Sequence, residues 1–559
     1  MKIKIYSYYK LTYNMAGGLL NLISVGNNNI ILTGNPTKTF FKVTYAKYTN
    51  FGLQKFRVDY DGMRDLRLTE PSTFSFKMPR NAELLMDTYL VINLPTIWSP
   101  IYNPCDQTGN IWAPYDFRWI RELGTNMISE ILITCGSQTI QRYSGEYLRA
   151  MVERDFNTEK KELFDKMTGN TDELYDPANA FGRVNTYPSA YYTTNQSGAE
   201  PSIRGRTLYI PINTWFTLDN RCAFPMVALQ YNELYITVTM RPIQELFQVR
   251  DVYDSPNNFP YIQPDFNQPQ FNMYQFLQTP PPDLSVPNAY ANMTNVWNAD
   301  IHLLSTYCFL SAEEARKFAA EDQVYLVKDV FEYTFNNITG TQKVKLPSSG
   351  MVSSWMMYMQ RNDVNMRNEW SNYTNWPYHN IPSDIQLATN ESGTGPGTNP
   401  AGSLYTNTGI FITGHFAPEN QKEILETLAI VLNGDYRENV LESGIFNYVE
   451  KYVRTKGSAK DGLYCYNFCL NTDPLEYQPS GAINLSKFRI IELEVSTYVP
   501  PFDIQNMSYN IIYDSNGIPI GTSKMNWQLF EYNYNLKVFE ERYNILSFIS
   551  GNCGMLYAR

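Results

Sequence analysis

Period-two alternation of apolar and polar positions dominates this chain. Leu234, Ile236, Val238 and Met240 fall on one face and Tyr235, Thr237 and Thr239 on the other, the pattern of a strand with one buried face. Ile131, Ile133 and Cys135 alternate with Leu132 and Thr134 in the same way. From Leu463 to Leu470, Tyr464, Tyr466, Phe468 and Leu470 oppose Leu463, Cys465, Asn467 and Cys469. Gln478-Pro479-Ser480-Gly481 then offers a tight turn, with Pro presetting φ and Gly closing it. The chain resumes through Phe488, Ile490 and Ile491, so this stretch predicts a hairpin of strand, turn and strand. Leu346 to Gln360 and Arg489 to Val495 supply further strands. Ile424, Leu425, Leu428 and Leu432 also fit a helix, but the turn pair Asn433-Gly434 favours a strand over Leu428, Ile430 and Leu432.

Helical spacing is confined to short stretches. Tyr147, Leu148, Met151 and Val152 predict one helical insert over Gly145–Met167. Ser311 as N-cap, with Glu314 three residues on, forms a capping box ahead of EARKFAAED. Short strands punctuated by Pro, Gly and Asn run from Phe40 to about Pro242 and again from about His302 to Phe548, which predicts an all-β sandwich or barrel.

A chain of 559 residues exceeds what one hydrophobic core usually serves, so two domains are expected. The residues around Asp254–Asn298, rich in Pro, Asn, Gln and Tyr and including Pro280-Pro281-Pro282, cannot supply central strands and predict an extended connector lying against a domain. The expected layout is an N-terminal arm over 1–39, a first domain over 40–253, a connector over 254–300 and a second domain over 301–559. A long polar loop at 365–409 interrupts the second domain.

Charge and cysteine usage narrow the function. A net charge of −10, with basic residues scattered, argues against direct nucleic-acid binding. The seven cysteines (Cys105, Cys135, Cys222, Cys308, Cys465, Cys469 and Cys553) are odd in number and dispersed, which fits buried free thiols and folding in a reducing cytosol. No stretch approaches the ~20 apolar residues of a spanning helix, and the N-terminus lacks the apolar core of a signal peptide.

Candidate chemistry is sparse. The three histidines, His302, His379 and His415, show no metal-ligand spacing, and no GK[ST] phosphate loop is present. The carboxylate pairs Glu313-Glu314 and Glu540-Glu541 read as solvated charges. Asn-x-Ser/Thr sequons stand at Asn195, Asn292, Asn337, Asn372, Asn390, Asn484 and Asn506. Asn372 and Asn390, in the long loop, are the expected exposed candidates for glycosylation, with unmodified polar loops the simpler expectation. No catalytic residue, cofactor or metal ligand is expected.

The string QPSGAINLSK at 478–487 is less generic than its turn. It resembles the stretch near the C-terminus of major capsid proteins of nucleocytoplasmic large DNA viruses. ILTGNPTKTFFKVTYAKYTNF (31–51), LGTNMISEILITCGSQTIQRYSGEYL (123–148), LYIPINTWFTLDNRCAFPMVALQYNELYITV (208–238), VKLPSSGMVSSWMMYMQRND, IVLNGDYR and VFEERYNILSFISGNCGMLY resemble the same family in the same order. The resemblance implies two consecutive eight-stranded jelly rolls, and three copies forming a capsomer of near-hexagonal outline that tiles an icosahedral shell. It implies contacts with other capsomers, with minor capsid and penton proteins, and with an inner viral membrane nearby. The place of the protein would be the virion capsid, reached from the host cytoplasm or viral factory. Family members usually begin at the counterpart of Met15, so residues 1–14 are expected to be an extension and the virion protein to begin at Met15 or Ala16. The resemblance also puts Ala16 to about Gly34 on the inner side of the shell and loop 365–409 on the outer side. Two further readings differ: a minor shell or transient scaffold protein of the same fold, and a carbohydrate-binding β-sandwich, whose enzymes need paired carboxylates roughly 5–10 Å apart.

Overall fold

The computed structural model describes residues 17–102, 113–184, 186–190, 199–251, 260–281, 290–379, 421–476, 478–500, 509–513, 519–524 and 532–557. The chain divides at Asn50 into an N-terminal unit and a unit running from Phe51 to the end. In the first unit Gly17–Ile23 and Ile30–Thr33 are short helices. Residues 42–50 form no strand, so the first strand begins at Phe51.

The strands of the first sandwich are β1 (Phe51–Asp59), β2 (Ser72–Lys77), β3 (Leu84–Asn93), β4 (Ile128–Cys135), β5 (Gln138–Tyr143), β6 (Thr207–Pro211), β7 (Phe224–Pro225), β8 (Leu234–Met240) and β9 (His302–Leu310). One sheet has the order β1-β9-β3-β7, with β6 also on β3, and the facing sheet is β2-β8-β4-β5. β4 and β8 bury the faces that their alternation predicts, Ile131, Ile133 and Cys135 against Leu234, Ile236, Val238 and Met240. On β2, Phe74 and Phe76 point inward, each such side chain contributing ~1.5–3 kcal/mol of burial.

Strand β9 overturns the expected domain boundary. The sequence places His302 at the start of the second domain. Yet β9 runs antiparallel to β1 from Phe51↔Leu310 to Asp59↔His302, and also pairs with β3. The connector, which carries Phe271, Met273 and Phe276 into the first core, thus returns the chain to the first sandwich before the second begins. Its apolar residues anchor it despite its prolines.

The second sandwich follows with β10 (Gln323–Ile338), β11 (Thr341–Lys345), β12 (Met351–Arg361), β13 (Leu425–Leu432), β14 (Asp435–Glu442), β15 (Leu463–Asn467), β16 (Ile483–Asn484), β17 (Ile491–Thr497), β18 (Tyr534–Ile549) and β19 (Asn552–Met555). A six-stranded sheet of order β10-β18-β12-β15, with β16 on β12 and β19 on β18, faces the sheet β11-β17-β13-β14. The predicted strand over Leu428–Leu432 is β13. It turns into β14 through Asn433 (φ 53°) and Gly434 (φ 94°), the left-handed pair that a two-residue hairpin needs.

The predicted hairpin after Leu463 is not one. β15 pairs with β12, whereas β17 pairs with β11 and β13 in the opposite sheet. After the turn, β16 still pairs with β12 in the sheet of β15, and only the segment between β16 and β17 carries the chain across the sandwich. Leu470 lies exposed beyond the strand end.

Two helices, not one, fill the insert after β5: α1 (Gly145–Asp155) and α2 (Thr158–Thr168). The break falls where the Asn157 side chain accepts from the Lys160 amide and caps the second helix. α3 (Ala312–Ala320) starts as expected, with the Ser311 hydroxyl accepting from the Glu314 amide at 3.4 Å. A last helical segment joins a π turn, Ile445–Val449, to α4 (Glu450–Arg454).

Candidate functional site

For a chain without a catalytic constellation, the features that bear on function are the seam between the sandwiches and the surfaces left uncovered. The seam begins with the apolar strand β12. Trp355, Met357 and Met359 pack into the core of the second sandwich, while Met356 and Tyr358 belong to a cluster continuous with the first. β15 divides likewise, Tyr464 and Tyr466 inward and Leu463 and Cys465 toward the first sandwich. The six-stranded sheet is therefore buried on both faces at its centre, and WMMYM (355–359) on β12 is a run with no polar interruption. Aromatic pairs cross the seam: Trp215 with Tyr325 at 5.5 Å and Phe224 with Phe548 at 5.1 Å between ring centroids. The turn between β18 and β19 adds hydrogen bonds, the amides of Gln230 and Tyr231 both donating to the Gly551 carbonyl.

An ionic lock lies within this apolar seam. Arg154 on α1, fully buried, reaches Glu541 on β18 at 2.8 Å, Asp155 at 2.7 Å and the Ser354 hydroxyl at 3.1 Å. Glu541 also accepts from the Tyr147 hydroxyl at 2.9 Å and from Ser354 at 2.8 Å. The Thr472 hydroxyl donates to Asp155 at 2.6 Å. Burial pushes the Glu541 carboxyl up, but Arg154 and Lys328 outweigh it and hold it at about 2. A second cluster follows one turn earlier on α1. There Arg149 pairs with Glu122, Glu153 and Asp165, and Lys460 from the second sandwich reaches Glu122 at 2.7 Å. Burial raises Glu122 as well, and Lys460 with Arg149 brings it down to about 2.

These residues correct the reading of Glu540-Glu541 as solvated charges. Both are buried, and Glu540 accepts from the Trp355 indole at 2.7 Å. The sequence signal was available in retrospect: two acids inside the strand YNLKVFEERYNILSFI need buried partners.

The long polar loop also differs from expectation. Its first part, 365–379, packs against the first sandwich. Asn368 donates to the carbonyls of Gln244 and Phe247 at 2.7 and 2.8 Å, and the Trp370 indole donates to Glu245 at 3.0 Å. Asn372, expected to be exposed, is 0% exposed. Its amide donates to the Trp376 carbonyl and its oxygen accepts from the amide and hydroxyl of Thr374. That leaves no room for a glycan at Asn372. Asn390 lies outside the described residues, as do Asn195, Asn506, His415 and Cys105. The sequons with exposed asparagines are Asn292, Asn337 and Asn484. His302 is buried with Nδ1 2.6 Å from the Asp300 carbonyl. The six described cysteines are free and buried.

A cleft of about 870 Å³ opens along the seam between β5 and β10, lined by Glu130, Arg142, Phe331, Glu332 and Lys537 among others. Its charges are already engaged, Arg142 with Glu130, Lys537 with Glu146, and Glu332 with the Ser144 amide. Among the described residues no group of His, Cys, Asp and Glu could hold a metal ion, and no helix is long and apolar enough to cross a membrane.

The uncovered surfaces are of a different kind. Tyr448, Val449, Tyr452 and Val453 project from the π turn and α4, with Tyr436 and Val440 exposed on the neighbouring β14. Such a patch on a folded protein marks an interaction surface. β14 ends its sheet with a strand partner on one side only.

Comparison with known proteins agrees with this architecture. Residues 39–277 match the family described as major capsid protein N-terminus, and residues 314–554 match the large eukaryotic DNA virus major capsid protein. The chain is 24% identical to the major capsid protein of Phaeocystis pouchetii virus, over 97% of this chain and 100% of the relative. It is 22% identical to that of Paramecium bursaria Chlorella virus 1, with the same coverage. Among solved structures, the Faustovirus major capsid protein aligns with TM-score 0.57 at 11% identity, covering 93% of this chain and 94% of that one. The PBCV-1 capsid protein aligns with TM-score 0.56 at 18% identity, covering 93% and 100%. The two sandwiches are jelly rolls, the work of the chain is structural and not enzymatic, and the protein belongs to the major capsid proteins of the large eukaryotic DNA viruses.

Proposed function

We propose that three copies of this chain assemble into a capsomer of near-hexagonal outline, and that these capsomers tile an icosahedral shell. The observation that carries this reading is the doubly buried six-stranded sheet with its ionic lock. It makes two jelly rolls one rigid block, so that three blocks present six similar walls. Capsomer walls need large, dry contact areas, and the aromatic patch around Tyr448 and Tyr452 is suited to supply part of one. Minor capsid proteins, penton proteins and a nearby inner membrane complete the proposed set of partners. Assembly would take place in the host cytoplasm or a viral factory. The net charge of −10 argues against direct contact with the genome.

Light scattering on purified protein, with negative-stain imaging, tests the reading. The expected result is a particle near three times 64.6 kDa with a hexagonal outline. A monomer at all concentrations and salt conditions would overturn it.

A further inference from the structure

We propose that the stretch Lys38–Tyr48 of one copy adds as a strand to the outer edge of β14 of a second copy. This inference rests on the homo-oligomeric reading above and assigns the contact that would tie copies together.

The arm has an unusual charge pattern. The first acidic residue of the chain is Asp59, whereas Lys38, Lys42 and Lys47 stand within the stretch concerned. It is also apolar and uncovered: Phe40, Phe41, Val43, Tyr45 and Tyr48 are all at least 81% exposed. KTFFKVTYAKY has the composition of a strand, and its alternation places Phe41, Val43 and Tyr45 on one side. An exposed segment of this kind is an aggregation template unless a partner covers it. Strand addition to a free sheet edge is the mode that suits it, with main-chain hydrogen bonds giving attachment and alternate side chains giving specificity.

Charge selects the edge. β11 ends its sheet with Lys343 and Lys345, β2 ends its sheet with Lys77, and β5 carries Arg142. β10 faces the first sandwich, its Lys328 carbonyl accepting from Gln141 and its Glu332 from the Ser144 amide. β14 carries Asp435, Glu438 and Glu442 against one Arg437 and is exposed along most of its length. Its eight residues offer enough edge for the central part of the arm stretch, including Phe41, Val43 and Tyr45, to pair along its whole length. The exposed Tyr436, Val440, Tyr448 and Tyr452 offer apolar area to the arm's aromatic side. That area matters, because backbone hydrogen bonds alone do not offset the entropy of ordering a free segment.

The test uses two differently tagged full-length chains, one Val43→Cys and the other Val440→Cys, co-expressed, purified through both tags and treated with a bismaleimide. A mixed-tag crosslinked species that requires both cysteines is expected. It should fall at least tenfold when the arm also carries Lys38→Glu, Lys42→Glu and Lys47→Glu, and return when the other chain carries Asp435→Lys and Glu442→Lys. Light scattering on the same samples separates the two readings. An intact trimer without the mixed crosslink overturns arm exchange and leaves the capsomer standing. A crosslink confined to single chains bearing both cysteines also overturns it, because the arm then docks on its own copy. Monomers throughout overturn both.

Discussion

Removing the Arg154 guanidinium is the sharpest test of the junction. At 2.8 Å from Glu541, the Coulomb attraction is about 6 kcal/mol at an effective dielectric near 20. Most of this is offset by the cost of burying both groups. Arg154→Met leaves Glu541 and Asp155 buried without their main cation, and breaking a buried pair from one side costs about 3–5 kcal/mol. With an unfolding entropy of about 2.1 cal/mol/K per residue over 559 residues, that corresponds to a fall in Tm of roughly 3–4 °C. Glu541→Gln keeps acceptors for Tyr147 and Ser354 but no longer neutralises Arg154, and its cost should be similar in size. The double variant should lose about 2 kcal/mol less than the sum of the singles, since neither leaves the other uncompensated. Differential scanning calorimetry is the assay. Because Arg154 belongs to the first sandwich and Glu541 to the second, a weakened lock should also split one unfolding transition into two. Singles that each cost less than about 1 kcal/mol, or losses that add without coupling, would refute the reasoning.

Further outcomes follow from the same geometry. Glu541 and Glu122 sit at about 2 in the folded protein against an ordinary value near 4.5, so their stabilisation is fully present above pH ~4.5 and is lost as pH falls toward ~2. Urea midpoints measured from pH 6 to pH 2.5 should drop steeply below pH 4.5, and in Glu541→Gln by less. Asp116 behaves oppositely: burial, only partly offset by Arg250, pushes it up to about 6. The folded form then binds its proton more tightly than the unfolded chain, so Asp116→Asn should raise stability above pH 6 and change little below pH ~4. Gly457→Ala should loosen the seam by more than about 3 kcal/mol, because a Cβ there would lie 2.5 Å from the carbonyls of Glu153 and Arg154. Chemical denaturation reads that loss. Gly434→Ala should cost only about 1–2 kcal/mol, since nothing lies within 4 Å of its Cβ position and only the left-handed backbone (φ 94°) resists it. A loss above about 4 kcal/mol in the same measurement would show that the turn does more than join β13 to β14.

What the sequence disclosed followed from one-sided burial. β4 and β8 each have a wet face, so their period of two marks both strand and inward side. The Asn433-Gly434 pair fixed the end of β13 because its φ values suit few other residues. Strand order was harder to see. β9 is a strand by composition, but nothing local shows that it pairs with β1 across some 250 positions of sequence, and β15 and β17 look like hairpin partners because a turn separates them. Pairing is a non-local property. The junction was hidden for a related reason. Glu541 and Arg154 look like ordinary surface charges until the fold brings them together, and Asn372 looks like a loop residue until Thr374 and Trp376 close around it.

The distribution of charge separates two tasks that a shell protein must keep apart. Inside one copy, acids and bases are buried, paired at short distance and enclosed by aromatic side chains, as at Arg154, Glu541 and Tyr147. Such pairs contribute little net stability over an apolar core, but a misplaced sandwich leaves them unpaired at high cost, so they define one relative position of the two jelly rolls. On the outside, Asp435, Arg437 and Glu442 of β14 and Lys38, Lys42 and Lys47 of the arm are exposed, where each pair is weak, screened by salt and reversible. A lattice that must correct its own errors during growth needs contacts of the second kind between copies and of the first kind within them. The order of events then follows: the ionic lock has to close as each chain folds, before the exposed surfaces of separate copies meet. Raising salt from 0.1 to 0.5 M should therefore weaken association between copies while leaving the unfolding temperature of the unassembled chain nearly unchanged. Equal sensitivity of the two would place the governing charges in the same environment and refute this division.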